Sequence, residues 1–344
     1  MLNINPLKVM QVLIVLLVAT LGYSTVVSAA DDYRLDPAHV QGPDVCADCH
    51  EYNVDAWRET HHFKTFKELP SRDEAREIAD KMGLKRIKQG SDCTGCHFTA
   101  QTDEAGKVKT IAGITCESCH GAGDKYTDIH SDFGGKDVTA ENEDPAHKAK
   151  RWADSVAAGM IRPSDTYAVA QNCYSCHTVP NEKLVNVGGH TAGSKFELVR
   201  WSQGEVRHNL HYTNGKENVE ASVERRRMLY LVGKMLDLEF AFRGLADATQ
   251  KADYAVSMAQ RAKRATGQLK ALNGALSNDT IAKIVAIGEA TKLKLNARDI
   301  YLSAAGKVSD LAKSFSANTD PASLSAIDAR LPTPDKYRGK LYAP

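Results

Sequence analysis

Apolar residues recur every three or four positions over the last third of the chain, between residues 216 and 318. This spacing places them on one face of an α-helix, and residues that cap or stop helices separate the runs. We predict three successive helices: the first runs to about Thr249, the second stops at Asn273, and the third starts after Asn278. The region is therefore expected to be a helical bundle.

Residues 31–215 lack a comparable pattern. Only short helical stretches, such as Asp73 to Lys88 and Ala146 to Gly159, interrupt segments that are rich in glycine, aspartate and lysine. The tail over residues 319–344 contains several prolines, so we expect it to be extended and to wrap over the preceding region. The predicted fold class is mainly α, with little regular structure before the bundle.

The N-terminal residues 1–30 have the features of a secretory signal peptide. Lys8 precedes the apolar run from Val12 to Leu21, and small residues follow, so cleavage is expected near Ala29 or Ala30. The alternative is an uncleaved membrane anchor, because the segment is about long enough to span a bilayer. Either interpretation places the rest of the chain outside the cytoplasm, in the periplasm or an equivalent compartment. If the signal is cleaved, no integral membrane segment is expected to remain.

Charge and composition narrow the choice of partners. The 344 residues include 44 basic and 43 acidic side chains, and 42% of the residues are hydrophobic. A chain with this balance has neither the excess of basic residues typical of nucleic-acid binding nor a polybasic patch for anionic lipids. We therefore expect no nucleic-acid partner.

All eight cysteines lie in Cys-x-x-Cys-His motifs, and none is left over. Two thiols at this spacing form thioethers with the two vinyl groups of one haem, and the next residue places an imidazole on the iron. The sequence therefore predicts four covalently bound haem c groups. The attachment cysteines and proximal ligands are Cys46, Cys49 and His50; Cys93, Cys96 and His97; Cys116, Cys119 and His120; and Cys173, Cys176 and His177.

Disulfide bonds and a zinc site are two other interpretations of the cysteines. Paired cysteines in an exported protein can form disulfides, and the second and third motifs together have the spacing of a zinc ribbon. Neither chemistry requires a histidine after every second cysteine. Since all four motifs have one, haem attachment is favoured.

Eight further histidines lie outside the motifs, all within residues 31–215. A second imidazole on a haem iron keeps it six-coordinate and low-spin, so that it changes charge without moving ligands. Four distal ligands are therefore available from eight candidates. The candidates are His39, His61, His62, His130, His147, His190, His208 and His211.

Between about residues 43 and 212 the chain resembles the tetrahaem cytochrome c554 family. The similar features are the first motif followed by Trp57-x-x-Thr60-x-His62, the third motif running into Gly121-x-Gly123, and the segment that leads to His208. The resemblance implies closely packed haems, most with two histidines, that pass electrons between redox proteins outside the cytoplasm. The helical bundle lies outside this pattern.

The resemblance also implies distal ligands residue by residue. His62 and His130 match the family pattern, and His190 and His208 are predicted on the same basis. His61 and His211 are the neighbouring alternatives. The remaining two, His39 and His147, are expected to be solvated or to lie at a haem edge.

The second haem is expected to go without a distal side chain. The segment Phe98 to Asp103 after its motif is polar, and no histidine occurs before Cys116. The family pattern leaves the corresponding iron five-coordinate. An open iron of this kind binds small ligands, although catalysis would also require proton donors at the distal face.

The first functional hypothesis is an electron carrier between a donor and an acceptor redox protein. The alternatives are a multihaem oxidoreductase with one open iron acting on a small nitrogen or oxygen species, and a subunit of a haem filament. The amphipathic bundle is a candidate surface for homo-oligomerisation. The number of irons with two histidines distinguishes these hypotheses.

Overall fold

The computed structural model describes residues 34–89 and 92–344, and the fold is mainly α. The predicted signal peptide lies outside the described residues. Within them, none of the helices combines the length and the apolar character needed to cross a bilayer. The α-helices are α1 (Pro43–Arg58), α2 (His61–Glu68), α3 (Asp73–Met82), α4 (Thr94–His97), α5 (Cys116–His120), α6 (Thr127–Ser131), α7 (Pro145–Ala157), α8 (Thr166–His177), α9 (Glu182–Asn186), α10 (Leu198–Ser202), α11 (Val223–Asp247), α12 (Asp253–Leu276), α13 (Asp279–Ala290) and α14 (Arg298–Asn318).

The four motifs lie on or at the start of helices α1, α4, α5 and α8, and each motif histidine lies where regular helix stops. Helices α4, α5 and α8 end at His97, His120 and His177. His50 lies inside α1, but its backbone leaves the helical region there, with φ −119° and ψ 36°. The motif imidazoles are therefore presented from helix ends or from a break within a helix.

A small hairpin follows the second motif. Strand β1 (Thr99–Thr102) pairs antiparallel with β2 (Val108–Ala112), and the register shifts between Thr99 and Ala100. The Asp103 carboxylate accepts hydrogen bonds from the backbone N–H groups of Ala105 and Lys107. This turn joins the strands, which were not predicted from the sequence.

The bundle contains four helices where the sequence pattern suggested three. The third predicted helix starts as expected, with the Asn278 side chain accepting from the Ile281 N–H at 3.1 Å, but it divides into α13 and α14. The connection has Asn296 in the left-handed region at φ +57°. The buried Tyr301 hydroxyl fixes it by bonding both backbone groups of Lys294, at 2.8 and 2.9 Å.

The bundle and the motif region share one hydrophobic core. Tyr167, Ala170 and Tyr174 of α8 join the same buried cluster as Leu231 and Met235 of α11. A buried polar network adds to this contact: the Tyr167 hydroxyl donates to the Glu239 carboxylate and also contacts the Ser309 hydroxyl, both at 2.7 Å. One face of the bundle thus supports the helix that carries the fourth motif.

The C-terminal tail contacts the motif region but is not fully extended. Two 3₁₀ helices, Pro321–Arg330 and Pro334–Lys336, form within it. The first is capped by Asp320, which accepts from the Ala322 N–H at 2.9 Å, and it buries Leu324 and Ile327 in the bundle core. Further along, the Glu205 N–H donates to the Arg338 carbonyl at 2.8 Å.

Candidate haem-binding site

Every motif histidine faces one histidine from outside the motifs. The centroids of the facing rings are 6.3 or 6.4 Å apart in all four pairs. Two imidazoles that bind one iron from opposite sides, each nitrogen about 2 Å from the metal, have ring centroids about 6 Å apart. The spacing therefore fits an iron between each pair. The pairs are His50 with His130, His62 with His177, His97 with His190, and His120 with His208.

His61 and His211, the neighbouring alternatives, are placed differently. The His61 side chain is 69% exposed, and its Nδ1 lies 2.8 Å from the Glu205 carboxylate. The His211 ring centroid is 4.8 Å from that of His50, which is too short a distance for an iron between the rings. His130 is therefore the residue spaced for ligation opposite His50.

The two histidines expected to be solvated or at a haem edge contact carboxylates. His39 Nδ1 is 2.6 Å from the Asp124 carboxylate, and His147 Nδ1 is 2.8 Å from that of Glu143. Neither ring faces a motif histidine in the described structure.

At the second motif, the structure differs from the expectation that no side chain lies on the distal side. The His190 ring lies opposite His97 at 6.4 Å, although no histidine is close in sequence on either side of this motif. The turn after α9 supplies it, because the His190 N–H donates to the Leu184 carbonyl at 3.1 Å and this bond fixes the loop. The structure therefore places an imidazole at the position that the resemblance leaves vacant.

Burial keeps the motif imidazoles neutral. It is the main cause that lowers the pKa of His50, His97 and His177 to about 4, and neighbouring histidines lower these values further. Burial also lowers the pKa of His62 and His120. A neutral imidazole has the free lone pair that a metal ion requires.

Thiols of different motifs lie next to one another. The Cys46 thiol contacts that of Cys116, and the Cys96 thiol contacts that of Cys176. Between the third and fourth motifs, the Asn172 amide donates to the Cys119 carbonyl at 2.9 Å. Within the described residues, no group of three or more His, Cys, Asp and Glu side chains is arranged to hold a metal ion. This includes the cysteines with zinc-ribbon spacing.

Three charged residues of the site were not identified from the sequence. The Arg34 guanidinium donates to the Cys176 sulfur and, at 2.7 Å, to the Asn172 amide oxygen. The buried Glu117, inside the third motif, accepts from three backbone N–H groups. Glu205 accepts from His61. A carboxylate inside a Cys-x-x-Cys-His motif was the one sequence signal available, since the other contacts join residues far apart in the chain.

The four Cys-x-x-Cys-His motifs and the facing histidine pairs are features of the c-type cytochromes. In this class of proteins, haem is held covalently through cysteines. Residues 45–121, which include the first three motifs, match the family described as cytochrome c554 and c-prime. The resemblance to the cytochrome c554 family is confirmed.

One curated relative is cytochrome c-554 from Nitrosomonas europaea. It is 30% identical over 104 residues, which is 28% of this chain and 44% of the relative. The match thus spans less than half the length of that protein. No solved structure matches the chain.

Proposed function

We propose that this chain is an exported tetrahaem cytochrome that relays electrons between a donor and an acceptor protein. The observation that carries the proposal is the one-to-one pairing of four motif histidines with four others at the spacing of two ligands on one iron. When bound, haem iron supplies one-electron redox chemistry.

The residues of the chain hold and orient this chemistry. The eight motif cysteines would form the thioethers, and the motif histidines would be proximal ligands. The His120 ring is aligned by its Nδ1 contact with the Ile161 carbonyl at 3.0 Å, and that of His130 by the Thr127 carbonyl at 2.7 Å. Such contacts fix ring orientation and leave the other nitrogen to the iron. The proposed distal ligands are His130, His190, His208 and His62, for the first to fourth motifs.

The contacts between motifs support a continuous relay. The first attachment site lies beside the third through Cys46 and Cys116, and the second lies beside the fourth through Cys96 and Cys176. Asn172 joins the third site to the fourth. The sites therefore follow the order first, third, fourth, second. Cys49 is exposed, so the first site is the accessible end for a redox partner.

The same pairing weighs against the alternative of an oxidoreductase with an open iron. That alternative relied on a vacant position opposite His97, where His190 lies. It also weighs against a filament in which a neighbouring chain lends a histidine, because each motif histidine has a partner in its own chain.

Mass spectrometry and ligand titration of the purified protein test the proposal. We expect a mass that corresponds to four covalent haems, with zinc absent, and no carbon monoxide binding to the reduced protein. His190→Ala should open one iron to carbon monoxide, whereas the matched control His61→Ala should open none. A mass without haem, or carbon monoxide bound at full occupancy by the unmodified protein, would contradict the proposal.

A further inference from the structure

Arg162 is a half-buried arginine with no ion pair among the residues that the structure describes. Its Nε and Nη2 atoms are buried without a hydrogen-bond partner among the described residues. One face of the guanidinium lies over the Trp152 ring, 4.3 Å from the ring centroid. Buried guanidinium nitrogens without hydrogen bonds are costly, so an arrangement of this kind points to a partner beyond the described residues, such as a bound anion.

The neighbouring carboxylate, that of Glu143, is already bound by other side chains. Glu143 accepts from Arg151 Nε at 2.7 Å and from Arg151 Nη2 at 2.6 Å, and His147 Nδ1 lies 2.8 Å from it. Glu143 is therefore engaged by Arg151 and His147, and no hydrogen bond or ion pair joins it to Arg162 among the described residues. Burial lowers the pKa of Arg162, and the neighbouring Arg151 cation adds to this effect.

Arg162 lies directly beside the third motif. The preceding residue, Ile161, contacts His120 through both of its backbone polar groups. Its N–H donates to the His120 carbonyl at 2.8 Å, and its carbonyl lies 3.0 Å from His120 Nδ1. On the distal side, Arg207 precedes His208 and also has a buried Nε without a partner in the described structure. Unpaired guanidinium nitrogens thus belong to the residue that follows Ile161, the backbone partner of His120, and to the residue that precedes His208.

Each haem c has two propionate carboxylates, the type of anion that a guanidinium binds through two parallel hydrogen bonds. We propose that Arg162 binds a propionate of the third haem and raises the reduction potential of that haem. The inference rests on the proposed function, because it requires a haem between His120 and His208. The positive charge favours the reduced iron, whose net charge is lower by one.

The test compares Arg162→Gln and Arg162→Lys in the full holoprotein. The control is Arg298→Gln, because Arg298 is an exposed arginine of the bundle paired with Asp247. Haem content by mass spectrometry comes first, since fewer than four haems in the unmodified protein would contradict the proposed function rather than this inference. The third haem is identified as the one whose low-spin signal is lost in His208→Ala.

We expect Arg162→Gln to lower the potential of the third haem by about 59 mV, equivalent to a tenfold shift in a one-electron equilibrium. Arg162→Lys keeps the charge but not the two parallel bonds. It should therefore retain most of the potential while shifting the propionate modes of the resonance Raman spectrum. Arg298→Gln should leave all four potentials unchanged.

Two results would overturn the inference. One is an Arg162→Gln protein with four haems whose third potential is unchanged, or in which a different haem shifts. The other, which holds even if Arg162→Gln fails to fold, is an Arg162→Lys protein with unaltered propionate modes.

Discussion

The motif region and the helical bundle are stabilised in different ways. The bundle buries long apolar side chains of its own, such as Leu231, Leu236 and Leu269. Before Tyr167, none of the described residues belongs to this core, and buried side chains that bond backbone groups, such as Glu117, hold this part together. The bundle therefore has the apolar core that specifies its own fold. The motif region, in contrast, is expected to need its haems as part of the core.

The largest expected effect is the loss of all covalent haem. Replacing the eight motif cysteines with serine should leave residues 34–165 unprotected, while α11 to α14 keep their helical protection, because only the latter have a complete apolar core. Hydrogen exchange followed by mass spectrometry measures this difference. Equal protection in both regions would contradict the comparison.

A core substitution in the bundle should have the next largest effect. Leu236→Ala removes a fully buried side chain, and we expect a loss of about 2–5 kcal/mol in the free energy of unfolding. Denaturant titration followed by circular dichroism provides the measurement, with half-exposed Ile300→Ala as the control. Similar losses in both variants would mean that the bundle core is not the source of its stability.

A polar substitution in the motif region should have a smaller but distinct effect. Glu117 is 1% exposed and accepts from the N–H groups of Gln41, Gly42 and Gly123 at 2.9, 2.8 and 2.7 Å. Glu117→Gln replaces one of the two acceptor oxygens with an amide NH2, which leaves at least one of these N–H groups without an acceptor, and should cost about 2–3 kcal/mol.

Hydrogen exchange should locate the Glu117→Gln loss around α1 and α5, with the bundle unchanged. The matched control is exposed Glu51→Gln, also on a motif-bearing helix. Destabilisation of α11 to α14 to the same extent would show that the two regions do not differ as described.

The smallest effect should come from the contact between the regions. Tyr167→Phe removes the hydroxyl shared by Glu239 and Ser309, and we expect a loss of about 1–2 kcal/mol because Glu239 keeps its bond from Arg243. Differential scanning calorimetry measures the change against Tyr52→Phe, an exposed tyrosine. An unaltered transition temperature would show that the network does not couple the regions.

The sequence indicated elements wherever the information was local. The mainly α fold is confirmed. The start of α13 followed from Asn278 as a cap. The break before α14 did not, because it depends on Tyr301 bonding back to Lys294. The tail likewise forms a 3₁₀ helix because Leu324 reaches a core made by other elements.

In the candidate site, too, some residues follow from local sequence and others depend on tertiary contacts. Spacing alone predicts the attachment cysteines and proximal histidines, since one motif is one local unit. The distal assignments depend on tertiary contacts: His62 faces His177, and His190 faces His97, although neither pair is close in sequence. The vacant position expected at the second motif came from the family pattern, whereas the described structure places the His190 ring opposite His97.

The measurement that tests the central proposal most directly is electron paramagnetic resonance of the fully oxidised holoprotein, with the spins quantified against covalent haem content. The histidine pairing predicts four low-spin ferric haems per chain and no high-spin signal. A high-spin ferric signal that corresponds to one haem per chain would contradict this prediction. It would indicate that the iron at the second motif has no distal ligand.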